Sequence, residues 1–374
     1  MKILIVEYRD TEHPEAGGAE VILFEIYGRL VDQGHQVDYL CTQHADVPRE
    51  DVMNGLNIVR RGYQPLFNFN APRVYRRELA SRGYDVIVEG IDKIPFFFPL
   101  MEKNVPVLCN IPHLFGESVF DQASFPVGAY VWLFERFIPA VYRNCHFQVL
   151  SESTRDDLIG RGVAAERLHV IHPGLDHGLY TAHAENQRNA RPTVLYLGRI
   201  KKYKGIDIGM RAVRRLLERY PDIDYQVAGQ GDYLDDLKRM ARELGMEQNV
   251  SFVGQISGEA KVEVIRRADV LLYASPKEGW GMSVVEANAC GTPVVASNSP
   301  GLRDSIQDGA TGYLVPHGDE AAVADRIDAL LSNAEHYQAM RTAALQWAAT
   351  FTWERATSRT LELIQEIRED AGQS

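Results

Sequence analysis

The chain has 374 residues, of which 45% are hydrophobic and 24% charged, and its formal net charge is -11. That length exceeds one ordinary core and fits two domains, while the composition excludes disordered, collagen-like and disulfide-scaffold classes. The negative balance supplies no net basic field to draw nucleic acid over the whole surface, although it permits a local anion site.

In chain order, Met1-Lys2 leads directly into an apolar run at 3–6 that reads as a buried strand and not as a signal peptide. Residues 36–40, 86–88 and 105–109 read as further strands, with a helix predicted over 19–33. The longest apolar stretches, such as 94–101, fall short of the ~20 residues a spanning helix needs, so any membrane contact is expected to be peripheral. A polar, non-periodic stretch at 181–192, TAHAENQRNARP, reads as an interdomain linker. Beyond it the plan repeats. Strands are predicted at 193–197, 224–228, 250–253, 270–273 and 293–296, and helices at 206–219, 234–244, 261–268 and 283–289. An acidic, periodic helix at 353–370 closes the chain. Such alternation predicts an α/β fold of two doubly wound Rossmann-like domains with parallel sheets, facing a cleft into which strand carboxyl ends point. The expected domains are 1–180, 193–350 and a final helical segment 351–374.

Four cysteines, Cys41, Cys109, Cys145 and Cys290, lie far apart and form no CxxC pair. That pattern is neither a disulfide framework nor a zinc site, and it suits a reducing cytoplasm.

The strongest chemical signal is residues 277–297, KEGWGMSVVEANACGTPVVAS, with Glu278, Gly279-Trp280-Gly281 and Glu286 at its core. A strand ends near Ala274, a glycine-rich turn follows, and a helix begins near Met282. The free N–H groups and positive dipole end of such a helix attract anions, and the glycines let a diphosphate approach the backbone. Glu278 can accept hydrogen bonds from sugar hydroxyls, and Glu286, about one turn into the helix, can reach a ribose diol. Two solvated glutamates on an ordinary strand–turn–helix are the plain alternative, against which the glycine and helix context argues.

The second signal is residues 198–205, GRIKKYKG, directly after the first strand of the second half. Arg199 and Lys204 emerge there at a strand end, where they can neutralise charge on a departing nucleoside diphosphate; a solvated basic loop is the alternative. Lys204 is expected in a loop, so that its removal opens no core cavity. The third, Ala228-Gly229-Gln230-Gly231-Asp232, is half of a GxGxxG fingerprint, with Leu234 in place of the last glycine, and reads as a tight turn. In the first half, Gly17-Gly18-Ala19-Glu20 leads into a helix whose N-terminus can approach the same diphosphate. His113 lies just past a strand end, although a lone histidine is more often structural.

Two features concern the acceptor. Between residues 60 and 82 stand six arginines against one acid, Glu78, interleaved with Tyr63, Phe67, Phe69 and Tyr75. That mixture suits a phosphorylated acceptor or peripheral contact of Arg60–Arg82 with an anionic membrane, with a solvated helix face as the alternative. Residues 129–142, AYVWLFERFIPAVY, read as a buried helix.

Taken in order, these motifs resemble the GT-B glycosyltransferases of family 4, from the GGAE loop to the region of Trp353, most specifically in GRIKKYKG and in Glu278-x7-Glu286. The resemblance implies a cytoplasmic hexosyltransferase of the kind that builds polysaccharides, at most peripheral at the inner face of a membrane. It would move sugar with retention from a UDP- or GDP-linked donor to a glycan, lipid-linked sugar or small-molecule hydroxyl. It further implies that Glu278 holds the donor sugar, Glu286 the ribose, and the backbone of Gly281, Met282 and Ser283 the phosphates. Arg199 and Lys204 would bind the diphosphate, His113 would touch the sugar near the reacting carbon, and Gly17 and Gly18 would match the family's amino-terminal glycine loop. No cofactor and no essential metal are expected, since the two cations take the metal's part. The only DxD, Asp222-Ile223-Asp224, precedes a strand away from these motifs. The family commonly returns its last helix to the first domain.

A nucleotide-sugar 2-epimerase of the same fold is the alternative, against which the adjacent cation and carboxylate motifs argue. An NAD dehydrogenase expects a complete GxGxxG with an acid about 20 residues on, and neither half supplies it. A pure binding module fits least, because paired cations and carboxylates in a cleft point to chemistry.

Overall fold

The computed structural model describes residues 1–44, 47–64, 66–92, 94–183 and 189–372. They form two compact units, Met1–Gly174 with Trp353–Ser374, and Leu175–Thr352.

The first unit contains strands β1 (Lys2–Val6), β2 (Gln36–Cys41), β3 (Glu50–Met53), β4 (Leu56–Arg60), β5 (Val86–Gly90), β6 (Val107–Ile111), β7 (His146–Val149) and β8 (Leu168–Val170). They make one sheet in the order β3-β4-β2-β1-β5-β6-β7-β8. Only β3 runs antiparallel to its neighbour, through Asn54 and Gly55, both at positive φ, the paired left-handed geometry of a tight hairpin. In the central strand β1, Ile3, Leu4, Ile5 and Val6 are all fully buried, as a parallel strand covered on both faces requires. Ile3 lies opposite Val37 on one side and Val86 on the other. Helices α1 (Gly18–Asp32), α2 (Phe67–Val74), α3 (Phe125–Glu135), α4 (Ile138–Val141) and α5 (Glu152–Gly160) accompany this sheet.

The second unit contains β9 (Thr193–Leu197), β10 (Asp224–Ala228), β11 (Val250–Gly254), β12 (Val270–Tyr273), β13 (Val294–Ser297) and β14 (Gly312–Val315), all parallel, in the order β11-β10-β9-β12-β13-β14. Its helices are α6 (Ile206–Leu216), α7 (Leu234–Glu243), α8 (Gly258–Arg267), α9 (Met282–Ala289), α10 (Leu302–Ser305), α11 (Glu320–Ser332) and α12 (Ala334–Ala348). Val194, Met210, Tyr225, Leu271 and Val295 anchor a single core there.

The last helix, α13 (Trp353–Gly372), belongs to the first unit. Trp353, Leu363, Ile364 and Ile367 are buried along it, Arg29 of α1 lies over the Trp353 ring, and Thr360 Oγ1 donates to Gln148 Oε1 of β7 at 3.2 Å.

Two expectations differ from these observations. The units part between Gly174 and Leu175, ahead of the anticipated linker at 181–192, of which residues 184–188 lie outside the described residues. Leu175 and His177 already bond the carbonyl of Phe351, at 3.2 and 2.9 Å. The segment 129–142 is not one buried helix. It breaks between α3 and α4, where Pro139 has no N–H to continue the ladder, and it leaves Leu133 and Phe137 each 47% exposed.

Candidate active site

In the second unit the chain passes from β9 to β10 on one side, while β12 lies on the other. Ligands of doubly wound sheets bind in the crevice beyond the carboxyl ends of such a strand pair. Both strong sequence motifs begin there, GRIKKYKG after β9 and KEGWG after β12.

After β9 the chain makes a tight turn at Lys202–Lys204 and enters α6 through Gly205 at φ +69, where a Cβ would stand 2.2 Å from the carbonyl oxygen of Ala274. Only glycine allows that approach, and it brings Lys204 against the end of β12. Lys204 Nζ lies 2.6 Å from Glu278 Oε1, which also accepts from Ser275 Oγ at 2.6 Å. Nζ stands 5.1 and 5.6 Å from the ring centroids of Tyr203 and Tyr273. Burial pulls the Lys204 ammonium towards neutrality, but Glu278, together with the hydroxyls of Tyr203 and Tyr196, holds the pKa above the ordinary lysine value. Lys204 is therefore not the open-loop cation expected from sequence: it is 7% exposed and ion-paired. Arg199, in contrast, is exposed and makes no ion pair with a described residue. Gly229 packs so closely on this loop that a Cβ would sit 1.8 Å from Gly198 O, which makes the GxG a bracing turn.

Glu278 N–H bonds Pro300 O at 3.0 Å, and buried Trp280 meets the Phe351 ring edge-on at 5.2 Å, so the turn is held from two sides. Gly281, left-handed at φ +97, is the residue from which α9 starts. The N–H groups of Met282 and Ser283, in the first turn and partly exposed, have no intrahelical acceptor. Glu286, on the next turn, is 6% exposed. Its Oε1 accepts from Tyr180 O–H at 2.9 Å and from Lys261 Nζ at 2.7 Å, while Oε2 is buried without a hydrogen-bond partner. Burial and then the charge of Glu286 push the Tyr180 hydroxyl up.

Arg199, Lys204, Glu278, Gly281, Met282, Ser283 and Glu286 thus gather at the ends of β9 and β12. Gly17, Gly18 and His113 lie in the first unit. Gly18 begins α1 behind Gly17, whose N–H donates to Glu20 Oε2 at 2.8 Å. His113 is half-buried just past β6, with its ring 4.9 Å from that of Phe115. Sequence reasoning missed Tyr180, Lys261 and Ser275. Lys261 stands at the edge of a predicted helix but carries no local sign of a partner 25 residues away. Asp224 of the DxD starts β10, at the sheet end opposite the motifs, and accepts from Ser251 Oγ at 2.8 Å.

Two family models match the chain in succession, "Glycosyltransferase Family 4" over residues 16–179 and "Glycosyl transferases group 1" over residues 181–347. The chain belongs to glycosyltransferase family 4. It is 41% identical over 198 residues to the D-inositol 3-phosphate glycosyltransferase of Mycobacterium sp. strain KMS, a match covering 50% of this chain and 44% of the relative. The chain thus spans about half the length of the curated relatives it matches. Its fold is shared with sucrose-phosphate synthase of Thermosynechococcus elongatus (TM-score 0.83, 21% identity, 98% of both chains). It is likewise shared with the Anabaena protein HepE, solved with UDP and glucose (TM-score 0.77, 18% identity, 98% of this chain and 100% of that one). Two parallel-sheet Rossmann-like units of the GT-B class are therefore its architecture. Among the described residues no helix is long and apolar enough to cross a membrane.

Proposed function

We propose that this glycosyltransferase moves a hexose, with retention, from a UDP- or GDP-linked donor to a hydroxyl acceptor. The observation that carries this reading is the Glu286 carboxylate. One oxygen is fixed by Tyr180 and Lys261 and the other lacks a partner, one turn from the free N–H groups that start α9. That arrangement suits a ribose diol followed by a diphosphate. Arg199 and Lys204 neutralise the leaving diphosphate, and Glu278 holds the donor sugar. The acceptor then attacks from the face the diphosphate leaves, with no metal needed to balance the charge. HepE's bound UDP and glucose favour a UDP-hexose, and the mycobacterial relative's name favours a polyol or sugar acceptor. The exposed Arg73, Arg76 and Arg77, with the exposed Tyr63 and Leu66, favour peripheral membrane contact on the cytoplasmic side. No observation favours the 2-epimerase.

Thermal unfolding in the presence of EDTA, with UDP, GDP and UDP-glucose, tests the donor reading. A ligand at 100 times its Kd adds roughly 2.7 kcal/mol. In a domain of this size that raises Tm by roughly 5–10 °C. Absence of a shift with every nucleotide, or a shift that chelation abolishes, would refute it.

A further inference from the structure

The first unit carries a cavity of about 270 Å³ that none of the donor motifs lines. Gln43 lies just past β2 and Arg61 just past β4, so the cavity sits at the carboxyl end of the sheet, where ligands of this fold bind. Asn70, Arg73 and Arg77 form another wall. Their spacing of three and four residues puts them on one helix face. That helix passes from α2 into a π-helical turn at Tyr75–Leu79, a geometry frequent at functional sites.

The charges of this cavity do not balance. Arg60, fully buried in its floor, is met by Asp10, Glu12 and Asp51. Arg61 is met by Glu50 and Glu78, at 2.7 and 2.8 Å. Arg49, Arg73 and Arg77 also line the cavity and make no ion pair with any described residue. Like charges four residues apart, as Arg73 and Arg77 are, destabilise a helix unless an anion lies between them.

We propose that this cavity binds a phosphate ester. Guanidinium forks match phosphate oxygens, and three uncompensated ones supply the charge a phosphate monoester carries. The volume is just below the ~300–1,000 Å³ of sites for drug-sized ligands, which suits a phosphate with a small polyol. Gln43 Oε1 is buried there without a hydrogen-bond partner and needs a donor, which a polyol hydroxyl provides. Beside it lies a second hollow of about 580 Å³, lined by Tyr63, Leu66 and Phe69 and sharing Asn70 and Arg73, able to seat the apolar part of an ester. That the ester is the acceptor rests on the reading of the first unit as the acceptor side; its binding does not.

Calorimetric titration with glycerol 3-phosphate, and co-sedimentation with phosphatidylcholine vesicles with and without phosphatidic acid, separate a soluble ester from a lipid headgroup. Saturable binding is expected in at least one arm, weakened at least tenfold by Arg73→Ala/Arg77→Ala and unchanged by Arg215→Ala/Lys238→Ala, a charge-matched control on exposed surface of the second unit. These arginines are exposed, so the double variant should keep its Tm, and its UDP affinity should equal that of the wild type. A soluble-only result identifies a free ester, and a vesicle-only result that Phe69→Ser also abolishes identifies a lipid phosphate. No binding in either arm, or equal losses with the pocket and control variants, would overturn the proposal. A loss of UDP binding alone would count against the donor site and leave this one standing.

Discussion

Replacing Lys204 by Ala removes the cation of the most buried ion pair at the β9 and β12 ends, and the structure sets the size of two separable effects. The side chains of Lys204 and Glu278 are 8% and 16% exposed, so the deletion leaves a largely buried carboxylate without its partner. Breaking such a pair costs about 3–5 kcal/mol. The Ser275 hydroxyl, still bonded to Glu278, places this case near the lower end, about 3 kcal/mol. That leaves a folded enzyme if total stability is the usual ~5–15 kcal/mol. The chemical step should slow by about 10²–10³, the loss of one preorganised charge facing a developing anion. Because the Lys204 pKa is raised above 10.5, the pair's stabilisation is present throughout the neutral range. It is lost only as pH rises through that raised value. Urea unfolding measures the first effect, and single-turnover rates with saturating donor measure the second. Glu278→Gln in the same background should cost less than its separate effect, with a coupling of about 1–3 kcal/mol. A Lys204→Ala enzyme with wild-type urea midpoint and wild-type turnover would refute both the pairing and the role in departure of the diphosphate.

Glu286→Ala should weaken UDP binding, and Tyr180→Phe should weaken it less, because Lys261 still holds the carboxylate; equal affinities by calorimetry would remove the ribose assignment. Buried Glu89 gives a pH test. Burial raises its pKa from 4.5 to about 7, against the opposing bonds from Tyr142 and the N–H groups of Phe96, Phe97 and Phe98. The folded state therefore holds this proton longer, and stability is fully present below about pH 4.5 and declines up to about pH 7, by on the order of 3 kcal/mol at most. Glu89→Gln should flatten that slope, and urea midpoints at pH 5 and pH 8 that fall in parallel with the wild type would exclude it.

Much of this was legible in sequence because it is local. The alternation of apolar runs with 3.6-residue periodicity yields both sheets, and the glycines around Trp280 mark the start of α9. The hairpin of β3 and β4 escaped notice although Asn54-Gly55 is a strong turn signal, because its strands are short and β3 opens on two acidic residues. What was illegible depends on contacts between distant residues. Glu278 meets a lysine 74 positions away and Glu286 a tyrosine 106 positions away, and no spacing rule joins them. The same limit made Lys204 look solvated, since its burial comes from Tyr203, Tyr273 and Glu278 closing around a turn that reads locally as basic loop.

The return of α13 to the first unit has a consequence for biosynthesis. Domains generally fold as they leave the ribosome, amino-terminal ones first. Here the amino-terminal domain is the last to be completed, because Trp353, Ile364 and Ile367, which are buried in it, are translated after all of Leu175–Thr352. Until then Arg29 lacks the Trp353 ring and Gln148 its bond from Thr360. The second unit, whose two ends meet where Leu175 pairs with Thr352, can close on its own while the first still waits with part of its apolar surface uncovered. A nascent chain stalled before Trp353 would therefore present a finished second unit tethered to an unfinished first one, and it is the amino-terminal unit that chaperones would have to shield.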